Sequence, residues 1–222
     1  MPPPLWRLLQ TTDSLFPTGA FSHSGGLEGL CAEGLLSTPE DAERNIEEIL
    51  RQSFARVDLP ACGLAHRAAV PADLERLVAI DRWVDSLKAP REAREAGRSL
   101  GRRRLKAVSA PDGYRAAVQD GRSPGQQAVV TGIHLALDSV SREEAMLAFL
   151  YGTAAGLVAS AMKLLPLGQT RAQAFLTRLG ETMPDLVGSA DALGLEELGA
   201  WTPLLDIASM RHETARPRLF IS

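Results

Sequence analysis

The sequence predicts an all-α protein, a single-domain bundle of about ten helices built around a central buried apolar helix. Three observations predict it. Apolar residues recur at helical spacing, as in Ile46, Ile49, Leu50 and Phe54. Helix-start signals precede such runs: Thr38-Pro-Glu-Asp41 supplies an N-cap, a first-turn proline and two acids, and Ser141-Arg-Glu-Glu144 is a capping box. Finally, the run from Ala145 to Met162 carries no charge. A membrane-associated helix is the alternative for that run, with Gly152 and Gly156 in G-x-x-x-G spacing. A span needs about 20 mainly apolar residues, whereas this run is rich in Ala, Gly, Ser and Thr and lacks flanking aromatic belts. It reads as a core helix whose small side chains let its neighbours come close.

In chain order, Trp6 to Thr12 forms a short helix, and Phe16 to Phe21 a structured turn set by Pro17 and Gly19, with Phe16 and Phe21 as anchors in the core. A second helix runs from Ser24 to Gly34, opened by a serine cap and by Gly25 and Gly26, which leave room for another backbone or a partner. The helix from Thr38 to Phe54 follows, then a buried one from Asp58 to Ala69 with His66 at its edge, then an amphipathic one from Pro71 to Ala89 closed by Pro90. Arg91 to Val108 is a helix with the chain's one basic run, read as a solvated face or a dock for an acidic protein. Short helices follow near Tyr114 to Val118 and from Gln126 to Leu137. The central helix breaks at Pro166, two further helices cover Thr170 to Glu181 and Pro184 to Gly194, and Pro203 opens the last. Residues 1–4 and 215–222 read as flexible tails, the latter able to order on another surface.

Composition limits the function classes. At 222 residues with 45% hydrophobic and 23% charged, the chain can bury one large core. A net charge of -3 and a basic run without interleaved aromatics argue against nucleic-acid binding. Two well-separated cysteines, Cys31 and Cys62, and an amino terminus without a secretory pattern predict a reducing, cytoplasmic location.

Catalytic readings fail on spacing. Ser22 and Ser24 lack the glycines of a nucleophile elbow, Gly25 and Gly26 are followed by no phosphate-loop lysine, and adjacency of Ser22, His23 and Ser24 is no sign of a dyad. Arg216 stands where a zincin helix starting at His212 would need its second histidine. Of His23, His66, His134, His212, Cys31, Cys62 and Glu213, Cys62 and His66 alone stand at i, i+4 and there is no C-x-x-C pair, so no stable metal site and no tightly bound cofactor is expected. A non-enzymatic adaptor fits better than a helical enzyme.

Four segments carry a family resemblance: Asp13-Ser-x-Phe-Pro-Thr-Gly-x-Phe-x-x-Ser-x-Gly-Leu-Glu28, Glu95-x-Gly-Arg98-Ser99-x-Gly101, Ala161-x-Lys163-Leu-x-Pro-Leu-Gly-Gln169, and the tail from Asp206 to Ser222. With this spacing the chain resembles the urease accessory protein UreF family. The resemblance implies an all-α homodimer that works with UreD (also called UreH) and the GTPase UreG to insert nickel into apo-urease, the ion passing through as cargo. It also implies residue roles. Glu28 and Lys163 belong to segments linked with the GTPase-facing surface. Arg211, His212, Glu213, Arg218, Leu219 and Phe220 belong to the end expected to dock on UreD or UreH. Pro17, Gly19, Phe21, Ser24, Gly26, Pro166, Gly168 and Gln169 shape the motifs. The chain departs from the pattern at Arg216 and Pro217, where Tyr and Ser are usual, with Pro217 stiffening the approach to Arg218. Gln126 and Gln127 stand where many relatives carry His.

Overall fold

The computed structural model describes residues 3–221 apart from 14 and 217, and of residue 21 the backbone alone. The expected core anchoring by Phe21 and the stiffening by Pro217 therefore lie outside the described residues. Those residues contain eleven α-helices and no strand: α1 (Pro4–Thr12), α2 (Leu27–Ala32), α3 (Pro39–Gln52), α4 (Asp58–Ala69), α5 (Leu74–Leu87), α6 (Arg91–Ala107), α7 (Asp112–Gln119), α8 (Gln127–Leu137), α9 (Arg142–Leu164), α10 (Gln169–Asp191) and α11 (Pro203–His212). Both capping signals work as expected: Thr38 and Ser141 accept the N–H of Asp41 and Glu144, whose carboxylates return the bond.

Besides a small cluster of Leu135, Val140 and Ala145 against Leu8, the core has two large clusters. One gathers α3, α9 and α10 around Ile46, Leu50, Met146, Leu150, Leu157 and Phe175. The other gathers α5 to α8 around Leu77, Ile80, Tyr114 and Ile133. Both draw on α4 and α8: Leu59, Cys62 and Ala128 face the first cluster, while Ala61, Leu64, Val129 and Val130 face the second. Because these two helices are buried on nearly every side, neither cluster closes without them, which ties the halves together. By length and composition α9 could cross a membrane. Here it is a core helix that buries Ala145, Phe149, Ala154, Leu157 and Ala161 and leaves Leu147 and Tyr151 exposed.

Three expectations are corrected. The helix expected from Ser24 begins only at Leu27, because Gly26 has φ 91 and a helix cannot propagate through a left-handed residue. The two helices expected on either side of Pro184 are one. Phe175, Leu179, Met183, Val187 and Ala190 form an unbroken buried stripe along α10, and that burial outweighs the backbone bond lost at the proline. The basic run on α6 is a solvated face only in part: Arg91, Arg102, Arg103 and Lys106 are exposed, but most of its guanidinium groups are engaged. Arg94 donates to the carbonyls of Lys88 and Ala89, Arg98 makes a forked pair with Asp85 at 2.6 and 2.7 Å, Arg102 donates to the Pro124 carbonyl, and Arg103 to that of Thr18. These guanidinium groups staple α6 to α5 and to the loops around it.

Candidate partner-docking site

The first turn of α2 carries Glu28, the first turn of α6 carries Glu92, and α11 ends at His212. Their approach depends on small residues. A Cβ on Gly29 would lie 2.6 Å from the carbonyl oxygen of Ala208, so glycine there lets α2 and α11 touch backbone to backbone. Beneath them Ser24 is buried, and its hydroxyl accepts the Glu28 N–H at 3.3 Å, fixing the start of α2.

His212 is buried with a carboxylate on each ring nitrogen: Nε2 lies 2.8 Å from Glu28 and Nδ1 2.8 Å from Glu92. The tail then turns back onto the same carboxylates. Glu28 accepts the backbone N–H groups of Leu219 at 2.6 Å and Phe220 at 2.9 Å, and Glu92 accepts from Arg218 at 2.7 Å. Ile221 donates its N–H to the Ser22 carbonyl at 2.8 Å. The Phe220 ring, 3% exposed, packs with Lys163 Nζ 5.1 Å from its centroid. Burial of that ring contributes about 1.5–3 kcal/mol toward holding the tail. Desolvation would raise the Glu28 pKa, but the Leu219 and Phe220 N–H groups and the His212 ring outweigh it and hold the carboxyl below its ordinary value.

Four segments that are remote in sequence thus converge. Glu28, Lys163, His212, Arg218, Leu219 and Phe220 share one surface, and Arg211 and Glu213 flank it in ion pairs with Glu33 and Arg91. The motif residues sit at element junctions: Pro17 and Gly19 precede the single turn Ala20–Ser22, Pro166 and Gly168 link α9 to α10, and Gln169 begins α10. Whereas the sequence predicts a flexible partner-binding end, the structure places Arg218 to Ile221 against the protein's own α2 and α6. Sequence reasoning missed Glu92 and Ser22 as tail partners. Glu92 carried one local signal, an acid in the first turn of a helix, which is also the commonest bland use of glutamate.

A cavity of about 200 Å³ runs inward from this surface, lined by His23, Glu92, Asp206 and His212 and by the Asp58–Lys88 ion pair, 2.7 Å long. Burial pushes the His23 pKa down, with the Arg103 charge adding to it, and burial pushes that of Asp206 up. Among the described residues no three His, Cys, Asp or Glu side chains converge as a metal shell.

Comparison with known proteins agrees with the resemblance. The family model UreF matches residues 36–180. The chain is 35% identical to the urease accessory protein UreF of Kocuria rhizophila over 98% of its own length and 97% of the relative's. It is 32% identical to the protein of the same name from Actinobacillus pleuropneumoniae, and 31% to that from a Bacillus species, covering 98% of this chain and 99% of the relative in both cases. With a match over most of the chain and near-complete mutual coverage, the chain belongs to the UreF family of urease accessory proteins.

Proposed function

We propose that this protein is a cytoplasmic, non-enzymatic adaptor of urease maturation, a homodimer that bridges a UreD/UreH-type protein and the GTPase UreG in the complex that inserts nickel into apo-urease. In this reading it regulates GTP hydrolysis or nickel transfer, and nickel crosses the complex as cargo rather than residing in it. One observation carries the reading: Glu28 and Lys163, from the segments linked with the GTPase, hold the very tail expected to meet the UreD-type protein. Arg218, Leu219 and Ile221 remain largely exposed while Phe220 is buried, so a partner can grip the tail from outside and compete for its backbone bonds. Both partners then act on one set of contacts.

Light scattering after gel filtration tests this on the full chain, on its mixture with a UreD-type protein, and on the same mixture after removal of residues 218–222. A dimer that binds the partner and loses it on truncation supports the adaptor reading. A monomer that ignores the partner, with or without its tail, sinks it. Adding UreG to the intact complex and to one carrying Glu28→Ala then tests the GTPase side, where weaker capture by the variant is the expected result.

A further inference from the structure

Adjoining the cavity that runs inward from the docking surface, with Ala20, Gln127, Gly152, Thr153 and Gly156 in the shared wall, a second chamber of about 140 Å³ lies between α1, α6, α8 and α9. Arg104 of α6 lines it with a side chain only 7% exposed. Its guanidinium sits 4.9 Å from the Phe16 ring centroid and donates from Nη2 to the Thr11 carbonyl at 3.0 Å. Nε and Nη1 are buried and have no hydrogen-bond partner among the described residues. Among the described residues no carboxylate forms an ion pair with it; the nearby buried acid Asp138 is taken by Arg7 and His134, at 3.1 and 2.9 Å.

A buried charge without a counter-ion is costly, by several kcal/mol, and native proteins keep such charges where something pairs them. Burial lowers the Arg104 pKa to about 10, which leaves the group charged at neutral pH. The surrounding wall is polar without being charged like its floor: Thr12, Thr18, Gln127, Thr131 and Thr153 supply oxygens and an amide, while Phe16 and Phe149 close the sides. The sole acidic side chain at the rim, Asp13, accepts the N–H of Leu15 at 2.7 Å and would repel a multiply charged guest. One uncompensated positive charge, two unpartnered nitrogens with three N–H groups between them and a small volume select a small guest bearing a single negative charge and oxygen acceptors.

We propose that the Arg104 chamber is a binding site for a small monovalent carboxylate, of formate to acetate size, held by charge-assisted hydrogen bonds from the guanidinium. This rests on no part of the adaptor reading and stands or falls separately.

The probe is ¹³C-labelled formate, followed by NMR line broadening as it is titrated against the full-length protein at fixed ionic strength, with acetate and chloride as competitors. Saturable binding is expected, displaced by acetate. Arg104→Met, which keeps the apolar stem and removes the charge, is expected to weaken it by about tenfold or more. If that variant fails to fold, Thr153→Leu leaves the charge in place and fills the chamber, and it too is expected to abolish saturation. Non-saturable broadening, or formate affinity unchanged in whichever variant folds, overturns the proposal: the guanidinium is then served by water alone or formate binds elsewhere.

Discussion

Glu28 decides whether the tail stays down. Its carboxylate receives two backbone N–H groups and an imidazole, and hydrogen bonds to a charged acceptor contribute about 1.5–3 kcal/mol each before the exposed part is discounted. Glu28→Ala removes the acceptor and leaves His212 with one carboxylate. Amide hydrogen exchange at Leu219 and Phe220 is expected to quicken by about tenfold or more while the α9 core amides keep their protection; equal exchange in the two proteins would show that Phe220 alone holds the tail. The pH dependence has a definite sign. Because the folded Glu28 pKa lies below its ordinary 4.5, its contribution is fully present above that value and is lost as pH falls through the lowered one. Of this cluster, Glu28, Lys163, His212, Arg218 and Phe220 were legible from motifs with fixed spacing. Glu92 was not, since no local pattern tells a glutamate that stabilises a helix start from one that also waits for an arginine 126 residues later.

Among the elements, α2 illustrates a conflict between propensity and packing. In an open helix Gly→Ala gains about 1 kcal/mol, yet at Gly29 the new methyl would collide with the Ala208 carbonyl, a backbone atom that cannot rotate away. Gly29→Ala is therefore expected to lower Tm and to loosen α11 together with the tail. Gly188→Ala, in α10 where a Cβ meets open space, is expected to raise Tm by a few degrees. Thermal unfolding of the two variants side by side checks the argument, and a stabilised Gly29→Ala would refute the close α2–α11 contact. The helix starts at Pro39 and Arg142 were readable because a capping box is local chemistry. The continuity of α10 through Pro184 was not, because it depends on what α3, α4 and α9 place against its buried stripe. The partners of Arg94, Arg102 and Arg103 on α6 were hidden for the same reason: the acceptors are carbonyls of the connecting segments, which a sequence does not display.

At the scale of the whole molecule, the histidines make the body more acid-sensitive than the tail contacts made by Glu28. His134 is fully buried, and that burial, with the Arg104 charge beside it, lowers its pKa against the pull of Asp138. His66 and His23 are also lowered, in both cases chiefly by burial. For each, the unfolded chain binds the proton more readily than the folded one, so stability is full above the ordinary value of 6.5 and declines as pH falls below it. Each proton taken up only on unfolding contributes a slope of about 1.4 kcal/mol per pH unit. Urea unfolding at pH 7 and pH 5 is expected to show a loss of up to about 2 kcal/mol from His134, and His134→Gln should flatten that dependence even if it lowers the plateau. The Glu28 contacts act in a lower window, beginning near 4.5. At pH 5 exchange at the Leu219 and Phe220 amides, corrected for its intrinsic pH dependence, should therefore accelerate only as far as global unfolding does. Tail amides that open ahead of the body at that pH would mean that Glu28 is not what holds them, and the shared surface on which the adaptor reading rests would have to be redrawn around Lys163 and Phe220.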